Sequence, residues 1–213
     1  MKGIERVCEA KKRVFLGLGT NLGDREANLR EAVEQIENLG LRIVQLSSVY
    51  ETEPVGFADQ NWFLNQVVEV AITPGLTLRL RKDAEAVIEN CLEKDFEFGL
   101  KILAGELLSA LLGIEDRMGR KREIADGPRL IDIDLLLFGD VVISAVLPIN
   151  RWRGEAEAES LITIPHLRLH LRRFVLEPLC EIAPDVLHPV LNKSLTEILA
   201  GLADHCVVRV YQK

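Results

Sequence analysis

The sequence predicts one α+β domain with a ferredoxin-like, mainly antiparallel sheet, and three observations carry that prediction. The apolar residues form blocks in the order strand, helix, strand, strand, helix, strand, which folds as such a sheet with helices packed on one face. Gly and Pro clusters separate the strand blocks. At 213 residues, 48% of them hydrophobic, the chain is long enough to bury one core, and its length alone does not require two. Residues 1–213 therefore read as a single domain.

After a polar lead-in, RVFLGLG (13–19) reads as a buried strand that stops at Gly19. TNLGD leads into a helix whose Leu29, Ala32, Val33, Ile36 and Leu39 share one face, and Gly40 closes it. LRIVQLSSVYETE (41–53) and FLNQVVEVAIT (63–73) are rich in β-branched residues and predict two strands, joined by the loop PVGFADQNW. Two helical stretches follow. The first, over 77–94, is charged and loosely patterned; the second, over 100–118, carries Leu103, Leu107, Leu108, Leu111 and Ile114 at helical spacing, with EKDFEFG as a connector between them. DGPRLIDIDLLLFGD is the next strand, and INRWRGEAEAES suits an exposed loop. LITIPH resumes extended structure. SLTEILAGL begins with a capping box (Ser194, Glu197) and sets Leu195, Ile198, Leu199 and Leu202 on one face, before a last strand CVVRVY.

A balance of 26 basic against 33 acidic residues argues against a nucleic-acid or anionic-membrane binder, which needs a broad basic surface. It leaves room for a phosphorylated small molecule, for which a local cluster is enough. Cys8, Cys91, Cys180 and Cys206 are scattered, with no CxxC and no histidine at ligand spacing, so reduced thiols of a cytoplasmic protein are expected. No apolar run reaches the ~18–20 residues of a membrane span.

The chemistry gathers around GPRLIDIDLLLF. In a strand Asp132 and Asp134 share one side, while Ile131, Ile133, Leu135 and Leu137 share the other. Two carboxylates ~6.5–7 Å apart at strand rise repel each other unless a cation sits between them. They suit two Mg²⁺ ions about 3.5–4 Å apart, with waters and phosphate oxygens completing each shell. Arg129 precedes them, Arg117, Arg120, Lys121 and Arg122 cluster upstream, and PHLRLHLRRF supplies His166, Arg168, His170, Arg172 and Arg173. One shared polyphosphate accounts for three basic clusters in an acidic chain, since guanidinium groups meet phosphate oxygens bidentately. No GxxxxGK[ST] loop is present, and GLGTNLGD reads as a tight strand-to-helix turn. Metal-dependent glycosyltransferases and nucleases also use paired acidic residues, but no NDP-sugar-binding half-domain precedes this pair.

Taken together, GLGTNLGDREANL, SSVYETEPVG, FLN, GPRLIDIDLLLFG, TIPH and RRFVLEPLCEIAPD, in that order from about residue 13 to 185, resemble the 6-hydroxymethyl-7,8-dihydropterin pyrophosphokinase family of folate biosynthesis. The resemblance implies a layered αβα core and transfer of pyrophosphate from ATP to the pterin hydroxymethyl group, releasing AMP. It implies that Asp132 and Asp134 hold two Mg²⁺ ions and that Arg120, Arg122 and Arg129 meet the triphosphate, with Glu115 close by. It also places His166 and Arg172 on ATP phosphates, with Thr163 near the nucleotide. For the pterin it implies backbone contacts from Thr52 and Val55, an amide contact from Asn65, and a sandwich of Phe63 and Phe174. Phe63 and Asn65 are two apart in a strand and so face the same side.

Against the family pattern, Asp126 stands where a tryptophan is usual, Leu161 replaces an arginine, and insertions fall near 78–102 and 145–160. The expected partners are small-molecule substrates, with no nucleic acid and no membrane, and the expected state is a monomer or weak homodimer. A nucleotide- and pterin-binding homologue without turnover, or another two-metal nucleotide-dependent transferase, are the alternatives.

Overall fold

In a computed structural model of the chain, residues 2–10, 12–74, 76, 82–120, 126–149 and 158–212 are described. Strand β1 (Val14–Thr20) pairs on one side with β4 (Phe63–Ala71) and on the other with β5 (Asp132–Phe138). Strands β2 (Arg42–Leu46) and β3 (Tyr50–Thr52) both pair with β4, and β8 (Val208–Val210) adds to β3. The sheet order is β5-β1-β4-β3-β8 with β2 also on β4, and every pairing is antiparallel. Strands β6 (Ile143–Ile149) and β7 (Ala158–Ile164) form a separate hairpin.

The two faces of the sheet bury different helices. On one, α2 (Arg25–Asn38) and α4 (Phe96–Arg117) cover Val14, Leu16, Leu18, Ile133 and Leu135 in the larger core. On the other, α5 (Arg173–Ile182) and α6 (Leu195–Ala200) cover Phe15, Val67, Leu136 and Leu137. Each buried Leu, Ile or Phe removes apolar surface from water and contributes roughly 1.5–3 kcal/mol. The expected stripes on α2 and α4 are the buried ones, and the Ser194/Glu197 capping box opens α6.

Several boundaries differ from the sequence reading, each for a local reason. The lead-in is helical: α1 (Lys2–Glu9) buries Ile4 and Val7. Its first amides, Gly3 N and Ile4 N, donate to Glu89 of α3 (Lys82–Lys94) at 2.9 and 3.3 Å. Helix α3 occupies much of the 78–102 stretch, so α1 and α3 brace one another. EKDFEFG is not a connector, because Asp95 caps α4 by accepting from Phe98 N, and the helix therefore begins at Phe96. The 41–53 strand is broken between Leu46 and Tyr50, where Ser47 Oγ accepts from Val67 N across the sheet.

Strand β5 starts at Asp132, so Asp126–Ile131 is a loop lead-in. A bulge shifts the β1–β5 register between Phe15 and Leu16, which pair with Leu137 and Leu135. The extra residue, Leu136, moves Leu137 to the α5 face instead of the Ile133 face. Ile149 and Ala158–Ser160 are strand rather than loop, while residues 150–157 lie outside the described residues.

Candidate functional site

Paired residues of an antiparallel sheet point to the same face, so register reads as rows across it. One row on the α5 face is Asp132–Gly19–Asn65, and the next is Asp134–Gly17–Val67. The middle position of each is a glycine in β1. A Cβ built on Gly19 would lie 3.0 Å from Asn65 Oδ1, and one on Gly17 would lie 3.3 Å from the Leu136 side chain. These two residues without side chains floor an open pocket of about 650 Å³, counting space continuous with solvent. Thr52, Val55, Phe63, Asn65, Asp126, Arg129, Asp132, Asp134, Arg172 and Phe174 also line it.

At one end, Asn65 Nδ2 donates to Thr52 Oγ1 at 2.7 Å, and both residues are buried. The Arg129 guanidinium lies 4.9 Å from the Phe63 ring centroid, and that of Arg172 lies 5.3 Å from the Phe174 ring. Asn21, buried at the end of β1, fixes the surrounding loops. It donates to Gln60 Oε1 at 2.9 Å and to Asn61 O at 3.0 Å, and accepts from Arg129 N at 2.8 Å.

The carboxylate end is charged and partly exposed. Arg120 Nη1 reaches both Asp132 Oδ1 and Glu115 Oε1, and Arg129 Nε approaches Asp132 Oδ2 at 3.3 Å without hydrogen-bond alignment. Burial alone would raise the Asp132 pKa, but Arg120 and Arg129 hold it below the usual carboxylate value. Asp134 goes the other way. Burial and the neighbouring Asp132 charge push it up to about 7, against the opposing pull of Arg172, Arg120 and Arg129.

His166 Nε2 lies 3.9 Å from Asp134 Oδ1, and its Nδ1 accepts from Arg168 N at 3.3 Å, which leaves the ring proton on Nε2. Burial, with Arg172 and Arg168 nearby, lowers its pKa to about 4, so the imidazole is neutral near pH 7. Its backbone N donates to Leu136 O at 2.9 Å, which docks the 165–172 turn on β5.

Most of the residues expected from the sequence thus converge on one pocket, with exceptions. Glu115, 2% exposed, lies behind β5, where its Oε1 accepts from Ile133 N at 2.7 Å and meets Arg120. It anchors the strand and the arginine and does not line the pocket. Thr163, on β7, is also absent from the lining, as are Arg120 and His166, which stand beside Asp132 and Asp134 instead. Arg122 and Lys121 fall outside the described residues. Arg173 turns away from its neighbour Arg172 and pairs with Glu177 and the Asp204 backbone. Gly17, Gly19, Asn21 and Gln60 belong to the pocket and its walls, yet sequence reasoning did not select them, and it noted Asp126 only as a departure from the family pattern. The glycines carried a readable signal: at positions two apart in a buried strand they share a face.

Comparison with known proteins identifies the family and the fold. The family model described as 7,8-dihydro-6-hydroxymethylpterin-pyrophosphokinase (HPPK) matches residues 15–99 and 85–184. The chain is 34% identical over 184 residues to the 2-amino-4-hydroxy-6-hydroxymethyldihydropteridine pyrophosphokinase of Aquifex aeolicus, covering 86% of this chain and 88% of that one. It is 31% identical over 194 residues to the folic acid synthesis protein fol1 of Schizosaccharomyces pombe; that match covers 90% of this chain but only 20% of fol1. The crystal structure of wild-type Plasmodium falciparum HPPK-DHPS superposes with a TM-score of 0.57 at 17% identity, over 89% of this chain and 44% of that one. At that identity the superposition speaks for the fold.

Proposed function

We propose that this chain, which belongs to the 7,8-dihydro-6-hydroxymethylpterin-pyrophosphokinase family, transfers pyrophosphate from ATP to 6-hydroxymethyl-7,8-dihydropterin and releases AMP, a step of folate biosynthesis. The observation that carries the reading is the pocket itself. One sheet face presents the Asn65 amide and the Phe63 ring at one end, with Phe174 of α5 beside them, and two carboxylates flanked by arginines at the other. The strand order β5-β1-β4 followed by β2/β3, all antiparallel, supports the ferredoxin-like αβα reading of the core.

Asn65, fixed by Thr52, meets the pterin ring edge, Val55 offers its backbone, and Phe63 and Phe174 take the ring between them. Asp132 and Asp134 suit hard divalent cations. Among the described residues no group of three or more His, Cys, Asp or Glu side chains is arranged for a metal, so Asp132 and Asp134 would hold such ions together with oxygen donors from outside the protein. Burial first, and the neighbouring Asp132 charge second, raise the Asp134 pKa, and a divalent cation bound between the two carboxylates would oppose both effects. When bound, such ions neutralise charge building on the transferring phosphates.

The protein's own part is to position. The neutral His166 donates Nε2–H to a phosphate oxygen, and Arg172 and Arg129 meet the others, while Arg120, held by Glu115, moves between Asp132 and the phosphates. The hydroxyl then attacks the β phosphorus in line, the bond from that phosphorus to the oxygen bridging it to the α phosphorus breaks to release AMP, and the hydroxyl proton leaves to solvent. Thr163 and Arg122 remain proposed nucleotide contacts. No helix among the described residues is long and apolar enough to cross a membrane.

The test is AMP release from ATP and Mg²⁺, with and without the hydroxymethyl pterin. Pterin-dependent AMP is the expected result. Tight binding of both substrates without AMP identifies a binding homologue instead, and AMP released regardless of pterin removes the reading.

A further inference from the structure

Asp126 stands at the pocket rim with an unusual set of partners. Its backbone is in the left-handed region at φ 52°, its carbonyl accepts from Gln60 Nε2 at 2.9 Å, and Gly56 opposite it leaves only 3.3 Å between an added Cβ and the Asp126 Cβ. Side chain and main chain thus pin Asp126 against the 53–62 loop. Its carboxylate points at the other wall. Oδ1 lies 3.6 Å from Arg168 Nη1 and 3.7 Å from Arg172 Nη2.

Those two guanidiniums are one helical turn apart and repel each other; burial and Arg168 both hold Arg172 below its ordinary pKa. The Asp126 charge relieves that repulsion. A phosphate chain approaching Arg172 would seek the same positive pair and would be repelled by the carboxylate already there.

We propose that Asp126 is an internal anionic latch: its carboxylate holds the Arg168–Arg172 pair, and the nucleotide's phosphates have to displace it to bind. This rests on Arg172 meeting ATP phosphates, as proposed above. It makes Asp126 a determinant of nucleotide affinity opposite in sign to the other charged residues of the pocket, because its removal improves binding. With Arg168 half exposed the contact is partly screened, so the gain is about two- to fivefold.

Asp126→Asn isolates the charge, since asparagine accepts left-handed backbone and leaves the Gln60 bond intact. Asp126→Ser is a second neutral variant. Isothermal titration at low salt with a Mg²⁺-bound, non-hydrolysable ATP analogue reads the effect, with adenosine as the phosphate-free control. The latch predicts a two- to fivefold lower Kd for the analogue in both variants, unchanged adenosine binding, and a gain that shrinks when Arg168→Met is added. Equal or weaker analogue binding by folded D126N overturns the latch alone, provided the wild type binds. A matching gain for adenosine also overturns it. A wild type that binds no analogue removes the proposed nucleotide site, and the latch with it.

Discussion

Rows on one sheet face came out opposite in character, one closed and the next two open. Leu137–Phe15–Glu69 is buried beneath α5: Phe15 is 1% exposed, Arg13 grips Glu69 with two bonds of 2.7 Å, and its guanidinium lies over the Phe15 ring. Beyond the bulge along the same strands, Asp134–Gly17–Val67 and then Asp132–Gly19–Asn65 open into the pocket. The backbone is continuous through both. What differs is the side chain at the centre of each row, a phenyl ring or a hydrogen, together with the charge on β5. The pocket here is a core with its middle layer left out, and Asp132 is held there by Arg120 and Arg129.

That contrast can be broken at either row. The largest effect is expected at the open end, where Asp134→Ala should lower pterin-dependent AMP formation about a thousandfold or more with the fold retained by circular dichroism. Chelating Mg²⁺ should do the same to the wild type and be reversed by adding it back. Activity within tenfold of wild type in D134A would sever the carboxylate pair from the chemistry.

At the closed end Phe15→Ala should cost about 3–4 kcal/mol of stability, read by urea unfolding. Where the variant remains folded, KM for both substrates should be little changed. Gly19→Ala sharpens the comparison from the other side. Its Cβ presses on Asn65 Oδ1, so KM for the pterin should rise about tenfold while stability falls by less than about 1.5 kcal/mol.

The smallest effect lies on the far edge of the sheet. Hydrogen bonds from Arg209 and Arg25 hold the Glu51 pKa below its ordinary value. A depressed folded-state pKa contributes stability that is complete above the unfolded value near ~4.3 and is lost as pH falls through the folded value. Thermal melts of the wild type and Glu51→Gln should therefore differ by under about 1 kcal/mol at pH 7 and converge toward pH 3. A gap that instead widens in acid would mean the ion pair does not stabilise the fold.

Local pattern was enough to find the helical stripes on α2 and α4, the α6 capping box, the shared face of Asp132 and Asp134, and that of Phe63 and Asn65. Each depends on periodicity or on a neighbour three or four residues away, which the chain states directly. The bulge that turns Leu137 over, the Glu89 cap on α1, the retreat of Glu115 behind β5 and the reach of Asp126 to Arg168 and Arg172 were not visible there. Their partners lie 18 to 86 positions apart in most cases, as with Glu115 to Ile133 and Gly3 to Glu89. Such contacts are chosen by which elements share a face once the sheet has closed. The residues thus determined what chemistry was possible and which groups would point together. Only the closed sheet decided which charges meet, because electrostatics acts through space and falls with distance between atoms, whatever their separation along the chain.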